Sequence, residues 1–136
     1  MKTIMLAYDG EPASQPALER AAELAKALAA RLIVTSVAPV QIGGPRTAGP
    51  LEPGSLEEHA RELADARSYL EGLGVQAEYI EATGEPANAI VTLADEHQAE
   101  MIIVGTHGRN LVERLLGQSV SEAVARKASV DVLIAH

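Results

Sequence analysis

Hydrophobic and polar positions divide the chain into two alternating kinds of segment. Short runs rich in β-branched residues cover Thr3 to Tyr8, Leu32 to Val37, Val75 to Ile80, Met101 to Val104 and Val130 to Ala135. They are mostly continuous apolar runs, the pattern of strands covered on both faces. Between them, apolar residues recur with helical spacing: Leu18, Ala21, Ala25 and Leu28; Leu56, Leu63, Leu70 and Leu73; Ile90, Leu93, Ala94 and His97; Val120, Ala123, Val124 and Ala128. Boundary residues agree with this division. Ser55-x-x-Glu58 and Ser119-x-x-Glu122 read as capping boxes, Pro86 suits a first helical turn, and Gly72 and Gly74 fall where the second helix must stop. The order βαβαβαβαβ predicts parallel strands joined by right-handed helical crossovers. The expected fold is a Rossmann-like open α/β sheet with four helices on its two faces, in one domain spanning residues 1–136.

Composition narrows the function. The chain is 47% hydrophobic but only 2% aromatic, so Ala, Leu, Val and Ile must build its core. The absence of cysteine excludes a disulfide scaffold, a thiolate metal site and a cysteine nucleophile. A formal charge of −8 argues against nucleic acid, which needs a basic footprint, and against anionic membrane surfaces. No segment approaches the ~18 apolar residues of a membrane span, and the opening residues lack the longer apolar region of a secretory signal. The expected location is the cytoplasm. A long loop from Ala38 to Gly54, rich in Pro and Gly, reads as a functional lid or a mobile connection.

In open parallel sheets, ligands bind beyond the carboxyl ends of the strands, near the point where strand order reverses. Asp9-Gly10, Val37-Ala38 and Gly105-Thr106-His107-Gly108-Arg109 follow strands one, two and four. Glycines let backbone approach a ligand closely, and successive N–H groups can form an anion-binding concavity. Ser119 opens the last helix, whose positive end favours phosphate, and Arg109 adds a charged donor. The segment is neither a Walker A loop nor the dinucleotide fingerprint. Taken alone, such glycines are more often turn residues, Ser119 a cap, and Asp9 a turn or cap residue. Of the histidines, His59 and His97 fall in helices and are expected at the surface or helix edge, His136 is terminal, and only His107 adjoins the candidate site. None has metal-ligand spacing to another histidine. Asp9 could hold Mg²⁺ together with phosphate oxygens. No arrangement for activating water is visible, so the chain reads as a binding protein, at most a slow ATPase. A flavin carrier lacks its usual aromatic walls here, and a phosphoacceptor receiver lacks its acid and lysine pattern.

Several blocks, in order, resemble the universal stress protein family: Ile4-Met5-Leu6-Ala7-Tyr8-Asp9-Gly10, Gly84-Glu85-Pro86, Gly105-Thr106-His107-Gly108-Arg109, Ser119-Val120-Ser121-Glu122 and Val130-Asp131-Val132-Leu133-Ile134. The resemblance implies strand order 3-2-1-4-5 and a homodimer pairing Val130 to Ala135 across a two-fold axis. One branch of that family binds ATP through a Gly-x2-Gly-x9-Gly-[Ser/Thr] loop. On that pattern Gly105, Gly108 and Ser119 fall at loop positions, Asp9 at the nucleoside end and Val37 where backbone meets adenine. Ala7, Val104, His107, Arg109 and Val120 flank these contacts. The implied ligand is ATP, or ADP or AMP, with Mg²⁺. This sequence departs from the pattern at Gln118, which stands at the third glycine position while Gly117 comes one residue early, and Glu11 stands where the family often has serine. If Gln118 closes the site, the resemblance leaves a nucleotide-free dimeric interaction protein.

Overall fold

A computed structural model describes residues 1–38, 56–106 and 120–136. The sheet has five parallel strands in the order β3-β2-β1-β4-β5: β1 (Thr3–Ala7), β2 (Arg31–Ala38), β3 (Ala77–Thr83), β4 (Met101–Gly105) and β5 (Asp131–Ala135). The helices are α1 (Gln15–Leu28), α2 (Leu56–Gly72), α3 (Pro86–Glu96) and α4 (Val120–Lys127). A single 3₁₀ turn, Pro12–Ser14, leads into α1.

Strand alternation divides the core into two layers. Ile4, Leu6, Leu32, Val34 and Ile103 pack with Ala17, Leu18, Ala21 and Ala25 of α1 and with Leu63, Ala66 and Leu70 of α2. Met5, Ile33, Ile102 and Val104 pack with Ala87, Ile90 and Ala94 of α3 and Val124 of α4. Small alanine-rich helix faces let helices lie close to a sheet built of branched side chains, which is how a core almost free of aromatics fills its volume.

The elements follow the predicted order and depart from it only at their ends; β1, β2, β4 and β5 differ by one residue at one or both ends. The third strand starts at Ala77 rather than Val75 and continues to Thr83. Its first predicted residues still belong to the end of α2, since the N–H of Val75 donates to Leu70 O at 2.9 Å and that of Gly74 to Glu71 O at 3.0 Å. Gly74 holds the left-handed φ of 74° that this reversal requires. The apolar stripes of α1 and α2 overrun the core at Leu28 and Leu73, which are 43% and 41% exposed. Pro86 opens α3 as expected, preceded by Glu85, whose carboxylate accepts from the N–H groups of Ala87 and Asn88 at 3.3 and 2.8 Å. Ser55 and Ser119, the predicted caps of α2 and α4, and nearly all of the predicted 38–54 loop lie outside the described residues. No helix among the described residues is long and apolar enough to cross a membrane.

Candidate functional site

Strand order reverses at β1. The chain moves outward through β2 and β3, then returns to place β4 on the other side of β1. The carboxyl ends of β2, β1 and β4 therefore stand side by side, carrying Val37, Asp9 and Gly105. Ala7, Val37, Val104 and Val120 all pack against the α3/α4 apolar layer, so four of the predicted contact residues share one face. His107, Gly108, Arg109, Gln118 and Ser119 lie outside the described residues.

Asp9 is exposed just beyond β1, and its Oδ1 accepts from the Glu11 N–H at 2.9 Å. This Asx turn fixes the carboxylate at the end of β1. Gly10 follows with φ of 75°, and the chain then closes the 3₁₀ turn, where the N–H and Oγ of Ser14 both donate to Glu11 O, at 2.9 and 2.8 Å. A carboxylate held this way suits a Mg²⁺ ion that takes its other ligands from phosphates and water. Among the described residues no group of His, Asp and Glu could hold a metal unaided.

Gly105 has a reason to be glycine that does not involve a ligand. A Cβ there would stand 2.7 Å from Ala13 O and 2.9 Å from Ser14 Cα. The 3₁₀ turn lies directly on the end of β4. The neighbouring Thr106 N–H is also committed, donating to Ala135 O at 3.1 Å. An anion-binding concavity on this segment therefore draws nothing from the Thr106 N–H.

A group at the site's edge was misjudged from sequence. His59 is buried, 7% exposed, where a surface or helix-edge position was expected. Its Nδ1 lies 2.9 Å from Glu62 Oε2 and contacts Ser36 Oγ, which itself donates to Glu62 Oε2 at 2.7 Å. Polar partners across the β2–α2 interface make burial tolerable. Glu62 reaches back to the site: its Cγ is 2.7 Å from the position a Cβ on Gly10 would take. Burial pushes the Glu62 carboxyl above its usual range, against the opposing effects of the Ser36 hydrogen bond and His59 and with Asp9 and Glu58 adding to the rise. Burial, with Asp65, Asp9 and Glu62 nearby, likewise raises the Tyr8 hydroxyl. His97 caps the end of α3 and is half-buried, as its helix-edge assignment requires.

A concavity of about 370 Å³ opens at the carboxyl end of β3 beside Thr83, Gly84, Glu85 and Asn88. The first N–H groups of α3 are already taken by Glu85, so this groove offers an anion little.

The model for the universal stress protein family matches residues 1–136. A universal stress protein of Mycobacterium tuberculosis is 37% identical over 142 residues, covering 99% of this chain and 96% of the relative. The crystal structure of a universal stress protein in complex with cAMP is 31% identical, with a TM-score of 0.78, covering 99% of this chain and 97% of that one. The universal stress protein from Archaeoglobus fulgidus in complex with dAMP is 25% identical, with a TM-score of 0.75, covering 100% and 98%.

Proposed function

The chain belongs to the universal stress protein family, and we propose that it binds an adenine nucleotide at the carboxyl ends of β1, β2 and β4. The observation that carries this reading is the juxtaposition of Asp9, Val37 and Gly105 at the point where strand order reverses. Two similar proteins have been solved with cAMP and dAMP, which supports an adenine ligand. ATP with Mg²⁺ is the proposed form, ADP or AMP the alternatives, with Asp9 as the protein's contribution to the metal. The Val37 backbone would meet the base, and Ala7, Val104 and Val120 would flank these contacts. Gly105, His107, Gly108, Arg109, Gln118 and Ser119 would surround the phosphates. The protein acts as a cytoplasmic, dimeric regulator, its nucleotide biasing the order of the loops it touches.

Calorimetric titration with ATP and Mg²⁺, repeated with AMP and cAMP, tests this directly. Saturable binding near one ligand per chain, abolished by Gly108→Val, is the expected result. No heat at concentrations that detect an affinity of about 10 μM would overturn it and leave the nucleotide-free interaction dimer as the working function.

A further inference from the structure

The concavity at the carboxyl end of β3 continues as a groove between that strand and α3. One wall is the strand end at Thr83 and Gly84. The other is a stripe of α3 in which Ala89, Thr92, Leu93 and Glu96 recur at spacings of three and four residues and so share one face. From Glu85 to Glu96 this stripe spans about 16 Å of helix. Ala89 and Leu93 are half-buried and make an apolar floor, while Thr92 and Glu96 are exposed at the rim.

The charges around the groove decide what suits it. An anion is poorly served, since Glu85 takes the first N–H groups of α3. Lys127 is engaged as well, donating to Asn88 Oδ1 at 2.7 Å and standing 3.7 Å from Glu85 Oε2. Arg31 is paired with Glu78. Glu96 differs, because among the described residues no cation pairs with it. Asp95 beside it and Glu81 on the strand edge are also exposed.

A second copy of this face would set like charges against one another, which disfavours self-association here. A small molecule would gain little, because walls this exposed leave it largely in water, whereas ligand pockets bury most of what they bind. An extended chain can instead place apolar side chains on Ala89 and Leu93 and a cation at Glu96. The spacings agree. Alternate residues of an extended segment face one side about 7 Å apart, and neighbours three or four apart on a helix face are about 5–6 Å apart.

We propose that this groove docks an extended segment of a partner protein, of pattern apolar-x-apolar-x-basic, with its lysine or arginine at Glu96. The segment lies against α3 rather than pairing with the β3 edge. The proposal stands without the nucleotide reading. Because β3 and β5 are opposite edges of the sheet, a dimer formed through β5 leaves the groove accessible.

The probe is a capped, fluorescein-labelled heptapeptide with valine at its second and fourth positions, arginine at its sixth and serine elsewhere. Its anisotropy, titrated with the full chain, should saturate with a Kd of about 100 μM. Glu96→Lys is expected to weaken binding about tenfold by placing like charges together, and Glu96→Gln, which keeps the shape, to fall between. Glu19→Lys makes the same change in net charge on the exposed side of α1 and should leave the affinity unaltered. Amide resonances of the isotope-labelled chain should shift most at Thr83, Gly84, Asn88 and Leu93 when the peptide is added. Equal losses in Glu96→Lys and Glu19→Lys, shifts centred elsewhere, or no saturation at about 1 mM protein would overturn the proposal. So would displacement of the peptide by an equal concentration of spermine, which would mark the groove as a site for a small polycation.

Discussion

Gly105 is where two explanations of one residue part company. As a member of a phosphate loop it would be glycine for the ligand's sake. The structure gives it a packing role, since a Cβ would meet the backbone of Ala13 at 2.7 Å and of Ser14 at 2.9 Å. Backbone cannot swing aside as a flexible side chain can. Gly105→Ala is therefore expected to lose about 1–3 kcal/mol of stability, the range for overpacking, with no nucleotide present. Denaturant unfolding of the unliganded chain measures it. Gly10 differs: the atom facing it is the Cγ of Glu62, whose carboxylate is held by Ser36 and His59, so Gly10→Ala would disturb that side chain as well as strain a φ of 75°, the strain alone costing about 1 kcal/mol. An unchanged midpoint for Gly105→Ala would return that glycine to the ligand.

At the scale of elements, α2 shows both what the pattern of residues conveys and what it conceals. Leu63 and Leu70 announce a buried helical face, and both are buried. His59 lies one turn before Leu63 on the same face, and a histidine read alone defaults to the surface. Its burial depends on Ser36, twenty-three positions earlier on a different element, and periodicity carries no information about such a pairing. Glu85 went unrecognised as the cap of α3 for a related reason, since glutamate is uncommon at a position that serine, threonine, aspartate and asparagine dominate. The strand ends at Asp9, Val37 and Gly105 were legible because the crossover rule places them without any side-chain detail. The Glu62 carboxyl also makes a prediction about stability. Its folded-state pKa is raised above the reference 4.5, so the folded chain holds that proton more tightly than the unfolded one. That contribution is complete below the unfolded value and is lost as pH rises through the folded value. Glu62→Gln has no such loss. Its melting temperature relative to the unaltered chain should therefore rise as pH rises above the unfolded carboxyl range, and scanning calorimetry at several pH values would show it. A difference that stays constant with pH would mean the carboxyl is solvated in the folded chain. Glu85→Ala should cost about 1 kcal/mol, the usual worth of an N-cap, with little pH dependence near neutrality.

For the whole molecule the question is what covers the sheet's edges. The β3 edge carries the exposed carboxylates of Glu78 and Glu81, and Glu78 is held by two hydrogen bonds from Arg31 at 2.9 and 2.7 Å. Charge of this kind discourages another strand from docking. The opposite edge is different. β5 pairs with β4, and its central residues Val132, Leu133 and Ile134 are half-buried and apolar. The proposed dimer would use this edge, a two-fold axis being the simplest closed way to pair it, each β5 facing its counterpart. Sedimentation at micromolar concentration should return a dimer. Its melting temperature should climb with protein concentration, because dissociation accompanies unfolding. Amide exchange gives the finer check: N–H groups of β5 that point away from β4 should exchange slowly in the dimer and rapidly on dilution. A monomer whose outward β5 amides exchange freely would remove the dimer from the proposed function while leaving the proposed nucleotide site untouched, since Asp9, Val37 and Gly105 lie on or just beyond inner strands.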